Sequence, residues 1–272
     1  MDIKRIDIHS HLNFSAFDAD RDAVARRALD AGTAFITVGT QLDTSRKAIE
    51  LAEAYPEGAY AIVGLHPIHT SASFHDAAEL GEGGMEFSSR GERFDPAPYR
   101  ELLKHPKAVG VGEVGLDHYR LEGDTRALQR EAFEAQIDLA NEAGKPLMLH
   151  IREAYEDALA VLKDRARVKG NVHFFAGTTE QARRFLDLGF TLSFTGVITF
   201  ARQYAELVEY VPLDMMHAET DCPFVAPVPH RGARNEPAFV SFVTEKIAAL
   251  KKLPVADVEK ALVANAHRLF GI

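Results

Sequence analysis

The sequence predicts an α/β protein whose strands close into a (β/α)8 TIM barrel. Eight short runs rich in β-branched and other apolar residues alternate with longer amphipathic stretches along the chain. Neighbouring parallel strands need a crossover segment, usually a helix, so this alternation indicates a parallel sheet. Eight such units within 272 residues favour closure into a barrel, which typically takes roughly 250 residues. A doubly wound open sheet is the structural alternative.

The individual elements follow from the period of the apolar residues. Predicted strands occupy residues 5–8, 34–38, 59–63, 108–111, 146–149, 171–174, 190–193 and 215–218. Predicted helices occupy residues 20–31, 44–54, 98–104, 125–143, 154–165, 179–188, 201–210, 237–251 and 254–267. Gly32, Gly144 and Gly189 follow three of these helices, where a residue that accepts positive φ commonly ends a helix.

One long stretch, residues 73–98, has neither a helical nor a strand period. It is polar and glycine-rich, and it contains GEGG at 81–84 and RGER at 90–93. We expect a surface loop insertion here, and a lid beside a site is the functional alternative. No shift in composition and no Pro/Ser-rich linker divides the chain, so we expect one barrel domain over residues 1–272.

The composition restricts the class of protein and of partner. The 31 Lys and Arg residues against 40 Asp and Glu give a formal net charge of −9, so the chain as a whole repels a polyanion. Contact with a nucleic acid must then come from a local basic patch or from bound metal ions. The single cysteine cannot form an intramolecular disulfide, and the sequence has neither a secretory leader nor about 18 uninterrupted apolar residues. We expect a soluble, cytoplasmic protein with no membrane partner.

Residues able to bind a metal fall at the carboxyl ends of several predicted strands. His9 and His11 follow the first strand, and because side chains alternate along a strand they point to the same face. The other four lie at or near the ends of later strands: Glu113, His150, His173 and Asp221. Each alone is readily explained as an ion-pair partner, a core histidine or a helix cap. Together they lie on the barrel face where active sites are built, and they predict a divalent metal site.

Several blocks, in the same order along the chain, carry a resemblance to a known family. They are HSHL at 9–12, GLHP at 64–67, GEVGLD at 112–117, HIREA at 150–154, ETD at 219–221, PHRGARNEP at 229–237 and NAHRLFG at 265–271. In these blocks the chain resembles the TatD family of metal-dependent hydrolases. The resemblance implies a barrel of the metal-dependent hydrolase (amidohydrolase-like) type and a deoxyribonuclease activity, of the 3′–5′ exonuclease type on DNA.

The resemblance also implies roles for the residues at the strand ends. Two divalent metal ions, Zn, Mn, Mg or Co, would be bound by His9, His11, Glu113, His150, His173 and Asp221. Glu113 would bridge the two ions, and Asp221 would also act as the general base that accepts a proton from the attacking water. Mixed imidazole and carboxylate ligands are compatible with each of these metals.

Four further residues are predicted to bind the substrate: His66, Arg152, Arg231 and Arg234. Arginine suits a phosphate because its guanidinium donates two parallel hydrogen bonds. A solvated loop is the alternative explanation for Arg231 and Arg234. We expect the substrate to be a DNA end or a small phosphodiester, and no obligate protein partner is indicated.

The chain departs from the family pattern at four positions near the predicted site. Asn13 and Ala233 stand where Asp and Lys are often found, and Phe174 and Ala176 replace small polar residues. These changes retain every predicted metal ligand, but they leave more than one substrate class open for this chain. Hydrolysis of a small ester, a lactone or a cyclic amide by the same metal site is therefore the alternative activity. A non-catalytic metal-binding barrel is the weaker alternative, since no ligand is lost.

Other signals are assigned no role in the chemistry itself. The G-x-G-x-x-G pattern at 110–115 does not lead into a helix, as a dinucleotide fingerprint requires. Cys222 is expected to be a small buried residue, and Glu219 is expected to orient a ligand histidine. The remaining histidines without an assigned function are expected to pack or to lie at the surface: His69, His75, His105, His118, His217 and His267.

Overall fold

The computed structural model describes residues 2–75, 87–119 and 125–272. Its strands, numbered along the chain, are β1 (Arg5–Ser10), β2 (Thr33–Val38), β3 (Ala59–Val63), β4 (Ala72–His75), β5 (Phe87–Arg90), β6 (Ala108–Asp117), β7 (Leu147–Arg152), β8 (Gly170–Val172), β9 (Thr191–Phe194) and β10 (Met216–Ala218). Eight of them form one parallel sheet in the order β1-β2-β3-β6-β7-β8-β9-β10.

The backbone after β10 joins the two edges of this sheet. The Asp221 N–H donates to the His9 carbonyl at 2.9 Å, and the His11 N–H donates to the Cys222 carbonyl at 2.8 Å. These bonds bring the end of β1 against the segment that follows β10. The predicted barrel is confirmed, and the open-sheet alternative is wrong.

Helices connect the strands and complete the chain. Their bounds are Arg21–Asp30, Leu42–Glu53, Pro96–Leu102, Arg126–Ala143, Tyr155–Arg165, Thr179–Asp187, Ala205–Tyr210, Val240–Lys251 and Val255–Phe270. The predicted helix 201–210 begins only at Ala205, because the chain before it forms the short 3-10 turns Gly196–Thr199 and Arg202–Tyr204. Within the described residues, no helix has the length and apolar character needed to cross a bilayer.

Strand β6 is longer than the sequence predicts. The predicted strand 108–111 stops at a glycine-rich run, since glycine is generally depleted in strands. In the structure β6 continues to Asp117, and Gly115 pairs with His150 of β7. A Cβ on Gly112 would lie 2.6 Å from the Met148 carbonyl oxygen, so glycine is needed there for β6 to approach β7. The extension places Glu113 and Asp117 on one strand.

The predicted insertion at 73–98 contains more regular structure than a loop. Strands β4 and β5 pair as an antiparallel ladder, and the helix Pro96–Leu102 follows. Asp95 caps this helix by accepting a hydrogen bond from the Ala97 N–H at 3.0 Å. The GEGG block at 81–84 lies outside the described residues. The prediction of an irregular loop is therefore wrong for the described residues at the two ends of this segment, which form a strand pair and a helix.

The core is divided between the outside and the inside of the barrel. A large group of buried side chains packs the helices on the outer face of the strands. A second group joins alternate residues of neighbouring strands to the final helix: Ile6, Ile8, Ala34, Ile36, Val38, Ile62, Val109, Met148, Ala266 and Phe270. Alternation places this group inside the barrel. The final helix covers the amino-terminal end of the barrel, and the carboxyl ends of the strands remain available for a site.

The interior also contains His217, a buried histidine of β10. Both of its ring nitrogens lack a hydrogen-bond partner among the described residues, and the ring lies 6.2 Å from that of Phe270. Burial, together with the charge of Arg268, lowers the pKa of His217 from 6.5 to about 3. The expectation that His217 packs without chemical partners agrees with this position.

His217→Leu should raise the free energy of unfolding by about 1 kcal/mol at neutral pH, because it removes buried polar atoms without partners at similar volume. The unfolded chain protonates His217 below pH 6.5, whereas the folded protein does so only near pH 3. The wild-type free energy of unfolding therefore falls as pH decreases through this window. In the variant, the dependence of this free energy on pH should be weaker by up to about 1.4 kcal/mol per pH unit. Urea unfolding at pH 7, 6 and 5 checks both effects, and an unchanged slope would contradict the assignment.

Candidate metal centre

The candidate site is organised around the carboxylate of Glu113, which is only 3% exposed. Its Oε2 atom lies 3.4 Å from His9 Nε2 and 3.6 Å from His11 Nε2. Its Oε1 atom lies 2.9 Å from His150 Nδ1 and 3.0 Å from His173 Nε2. The two oxygens thus face different imidazoles, so Glu113 could contribute one oxygen to each of two cations.

Asp221 completes the first of these two groups. Its Oδ1 atom lies 3.4 Å from His11 Nε2 and 3.8 Å from His9 Nε2. The residue has φ of 55°, a conformation uncommon for residues other than glycine, asparagine and aspartate, and its N–H is bound to the His9 carbonyl. Closure of the barrel therefore holds the Asp221 carboxylate beside the histidines of β1.

The histidines of β1 present their Nε2 atoms to the site. His11 Nδ1 lies 2.9 Å from the Val38 carbonyl oxygen, so Nδ1 of the neutral ring carries the proton and Nε2 keeps its lone pair. His9 Nε2 lies 3.2 Å from His11 Nε2, while His9 Nδ1 is buried without a partner in the described part of the chain. Two converging imidazole nitrogens beside two carboxylates form a donor set that suits a divalent cation.

Two further carboxylates orient the histidines of the second group. Asp117 Oδ2 lies 2.9 Å from His150 Nε2, on the side of the ring opposite to Glu113. Glu219 Oε1 lies 3.3 Å from His173 Nδ1, and Glu219 itself accepts hydrogen bonds from Ser193 Oγ at 2.7 Å and the Phe174 N–H at 2.6 Å. A carboxylate on the distal nitrogen is the usual support of a metal-binding histidine. Glu219 lies where the sequence places it.

The electrostatics of the cluster favour positive charge. Burial would raise the pKa of Glu113, but the surrounding histidines, His66 and His173 foremost, hold it well below its usual range. Burial would lower the pKa of His150, but hydrogen bonds to Asp117 and Glu113 raise it to about 9. Burial would lower the pKa of His173, but attraction to Glu113 and Glu219 together holds it well above its ordinary value. A pocket that draws protons onto His150 and His173 fits bound cations, which release those protons when they bind.

His66 faces the cluster but has a different hydrogen-bonding role. Its Nδ1 atom accepts a hydrogen bond from the Ile68 N–H at 3.2 Å, and its Nε2 atom lies 3.3 Å from Glu113 Oε1. Burial and the nearby His150 lower the pKa of His66 to about 4, so the ring is neutral at pH 7. Since Nδ1 is an acceptor, Nε2 carries the proton. His66 therefore presents an N–H donor to the site instead of a metal-binding lone pair.

A cavity of about 800 Å³ opens above the cluster. All the predicted ligands except the fully buried His9 line it, as do His66 and Arg152. The Arg152 guanidinium lies over the ring of Tyr119, 3.7 Å from its centre. The remaining wall is largely apolar and aromatic.

The other two predicted substrate-binding arginines do not line this cavity. Arg234 donates to Asp20 Oδ2 at 2.6 Å and to the Ala16 carbonyl at 2.7 Å. Arg231 lies over the ring of Phe200, 3.7 Å from its centre. Contacts made by the folded chain therefore place both guanidinium groups elsewhere on the protein.

Comparison with known proteins agrees with this geometry. The family model described as TatD related DNase matches residues 6–271. The chain belongs to the TatD family. It is 37% identical over 271 residues to the metal-dependent hydrolase YabD of Bacillus subtilis, with 98% of each chain covered. It is 32% identical over 276 residues to the 3′–5′ ssDNA/RNA exonuclease TatD of Musicola paradisiaca, covering 98% of this chain and 97% of that one.

A solved structure also matches along the full length. The TatD homologue YJJV of Escherichia coli superposes with a TM-score of 0.82 and 29% identity, and the match covers 100% of both chains. Together with the family match, this likeness identifies the protein as a metal-dependent hydrolase acting on ester bonds. Its barrel is of the metal-dependent hydrolase type.

Two positioning residues of this TatD-family centre were missed from the sequence. Asp117 lies in the GEVGLD block, four residues after Glu113, but the predicted strand ended before it. Asp7 is fully buried, and its carboxylate accepts hydrogen bonds from the Thr220 N–H at 2.9 Å and the His9 N–H at 3.3 Å. An aspartate inside an otherwise apolar strand was the available signal, because a buried polar group requires partners.

Asp117→Asn should weaken binding of a divalent metal by about 10- to 100-fold, because the His150 ring loses the charged acceptor that sets its tautomer and orientation. Competition with a chromophoric chelator for Mn²⁺ or Zn²⁺ measures this change. Asp157→Asn is the matched control: its carboxylate lies 3.7 Å from His118 Nδ1 but is 62% exposed. Equal metal affinity in the Asp117 variant and the control, with both folded by circular dichroism, would refute the positioning role.

Proposed function

We propose that this TatD-family hydrolase is a two-metal phosphodiesterase that removes nucleotides from DNA ends as a 3′–5′ exonuclease. The observation that carries the proposal is the arrangement of Glu113, whose two carboxylate oxygens face different predicted ligand histidines. Two metal ions bound side by side are a recurring arrangement for hydrolysis of phosphate esters. Relatives that are 32–34% identical over 98% of this chain bear the name 3′–5′ ssDNA/RNA exonuclease TatD, which supports the same activity here.

The residues divide into two ligand sets that share Glu113. By their distances to Glu113 and Asp221, His9, His11 and Asp221 would hold one ion, and His150 and His173 would hold the other. Divalent ions of Zn, Mn, Mg or Co at these positions would supply Lewis acidity, which acidifies water and neutralises charge on the phosphoryl oxygens.

Asp221 is suited to act as the general base. Burial would raise its pKa, but the hydrogen bond from His11 and the charges of the nearby histidines keep the pKa below its usual range. The carboxylate is therefore ionised at neutral pH and can accept the proton of the attacking water. Asp221 also lines the cavity, whereas His9 lies beneath it with no exposed surface.

His66 and Arg152 are suited to orient the phosphate. Both line the cavity, and the Nε2–H of His66 points to the same side of Glu113 as His150. An N–H donor and a guanidinium beside the ligands can bind the non-bridging oxygens as charge increases on them. Arg231 and Arg234 are not needed for this step, and we leave them out of the proposed site.

A hydrolase of a small ester or lactone remains the second candidate, since a specific observation favours it. Arg152 is the only Lys or Arg side chain among the described residues that line the cavity. A long polyanion gains little from one cation, particularly on a protein with a net charge of −9. This charge distribution favours a chain end or a small substrate over a long duplex.

Asp221→Asn should lower kcat on single-stranded DNA by at least about 100-fold, because proton transfer by a positioned base typically contributes 10²–10⁴-fold. The substitution keeps the shape of the side chain, so circular dichroism should be unchanged. Asp214→Asn, an exposed aspartate upstream of β10, should retain wild-type turnover. Turnover by the Asp221 variant at the wild-type rate, with metal content unchanged, would exclude this residue as the base.

Removal of metal should abolish hydrolysis, and addition of Mn²⁺ or Mg²⁺ should restore it, because the ligands alone offer no nucleophile. The assay compares 5′-labelled single-stranded DNA with a panel of lactones and small esters. A ladder that shortens from the 3′ end supports the exonuclease. Inactivity on DNA together with metal-dependent hydrolysis of a lactone would replace the proposed function with the second candidate.

A further inference from the structure

The cavity extends well beyond the predicted metal ligands, towards the segments that follow β7, β8 and β9. Tyr155, Phe174 and Tyr204 line this part of the cavity, and each of the three is half-buried. Thr178 and Gln181, from the start of the next helix, add polar groups to the same wall. The predicted ligands and Arg152 account for the chemistry at a phosphate, but they leave this aromatic wall without a partner in the proposed reaction.

Phe174 occupies a central place in the aromatic wall. It follows His173 directly, and its ring centre lies 6.2 Å from that of His173 at an angle of 80°. Its φ is 45°, a conformation that is rare for bulky side chains and that persists only where the surroundings hold it. Here the Phe174 N–H donates to Glu219 Oε1 at 2.6 Å, the same carboxylate that faces His173. One buried carboxylate thus contacts both the predicted ligand His173 and the backbone that carries the aromatic ring next to it.

Packing does not explain why this ring lies in the cavity wall. The neighbouring Phe175 is buried and contacts Tyr155 and Phe185, so the hydrophobic core at this point is formed by Phe175. Phe174 instead leaves part of its surface in the cavity. A fixed, partly exposed ring beside a phosphate-binding centre offers a flat face to a planar group attached to that phosphate. Because the Phe174 backbone is already held by Glu219, less conformational entropy is lost when such a group binds.

We propose that Phe174 forms a stacking subsite for the base of the terminal nucleotide. This inference rests on the proposed function, and it assigns the nucleobase, in addition to the phosphate, a binding role. Stacking on an aromatic side chain strengthens binding by roughly 10-fold per base and tolerates any base, because every base has a π-face. The subsite therefore selects a nucleotide over a base-free sugar phosphate without selecting a sequence.

The test compares two ligands that differ only in the base. Binding of dAMP and of 2-deoxyribose 5-phosphate to the Mn²⁺-loaded protein is measured by isothermal titration calorimetry. The wild-type protein should bind dAMP about 10-fold more tightly, the ratio that one stacked base supplies. Phe174→Ala should abolish this preference and leave the affinity for the sugar phosphate unchanged. Phe174→Tyr, which keeps the ring, should restore it.

Phe200→Ala is the matched control, because Phe200 is an aromatic residue of the segment after β9 that is 39% exposed but does not line the cavity. This variant should keep the wild-type preference for dAMP. Equal affinity of the wild-type protein for the two ligands, failure to bind either, or an equal loss in both alanine variants would overturn the subsite.

The same measurements separate this inference from the nuclease proposal. A wild-type protein that prefers dAMP through Phe174 but does not shorten DNA would retain the subsite and refute the exonuclease. In a protein that does shorten DNA, Phe174→Ala should raise KM for an oligonucleotide with a 3′-terminal base by about 10-fold, with kcat little changed. An equal rise in KM for an oligonucleotide that ends in an abasic sugar would count against base stacking.

Discussion

The arrangement of the whole site depends on the groups that compensate the buried negative charge of the Glu113 carboxylate. Glu113 is 3% exposed, and an ionised carboxylate in such a place is strongly unfavourable without partners. Its partners are imidazoles that come from β1, β7 and the segments after β3 and β8, so they surround the charge only when the barrel is closed. The fold therefore provides the compensation, and the same imidazoles give the centre its affinity for cations.

A layer of further acidic side chains converts this cluster into a preorganised site. Asp7, Asp117 and Glu219 each contact a predicted ligand histidine or its backbone, and each is itself held by other groups. Asp117 and Glu219 face ring nitrogens and so orient those rings, whereas Asp7 holds the backbone of His9. The net charge of the chain is −9, yet a phosphate can still approach the site. The acidic residues of the metal centre would bind cations, and those cations would place positive charge where the phosphate must lie.

Sequence reasoning failed where distant segments decide the outcome. Strand β6 was predicted too short because glycine disfavours strands locally, yet Gly112 is required for the close approach of β7. Arg234 was assigned to the substrate from its place in a basic block, but Asp20, more than two hundred residues earlier, binds its guanidinium. The donor role of His66 depends on a hydrogen bond from Ile68, which no spacing in the sequence indicates.

The sequence by itself determined the barrel and the residues gathered at its carboxyl end. Both follow from short-range patterns: strand and helix periods define the eight units, and placement at strand ends brings Glu113, His150 and the others to one face. The tertiary structure decided which oxygen of Glu113 faces which imidazole, which arginine reaches the cavity, and where the ring of Phe174 lies. These features depend on distances of a few ångström between segments far apart in the chain, and such distances exist only after the strands have closed.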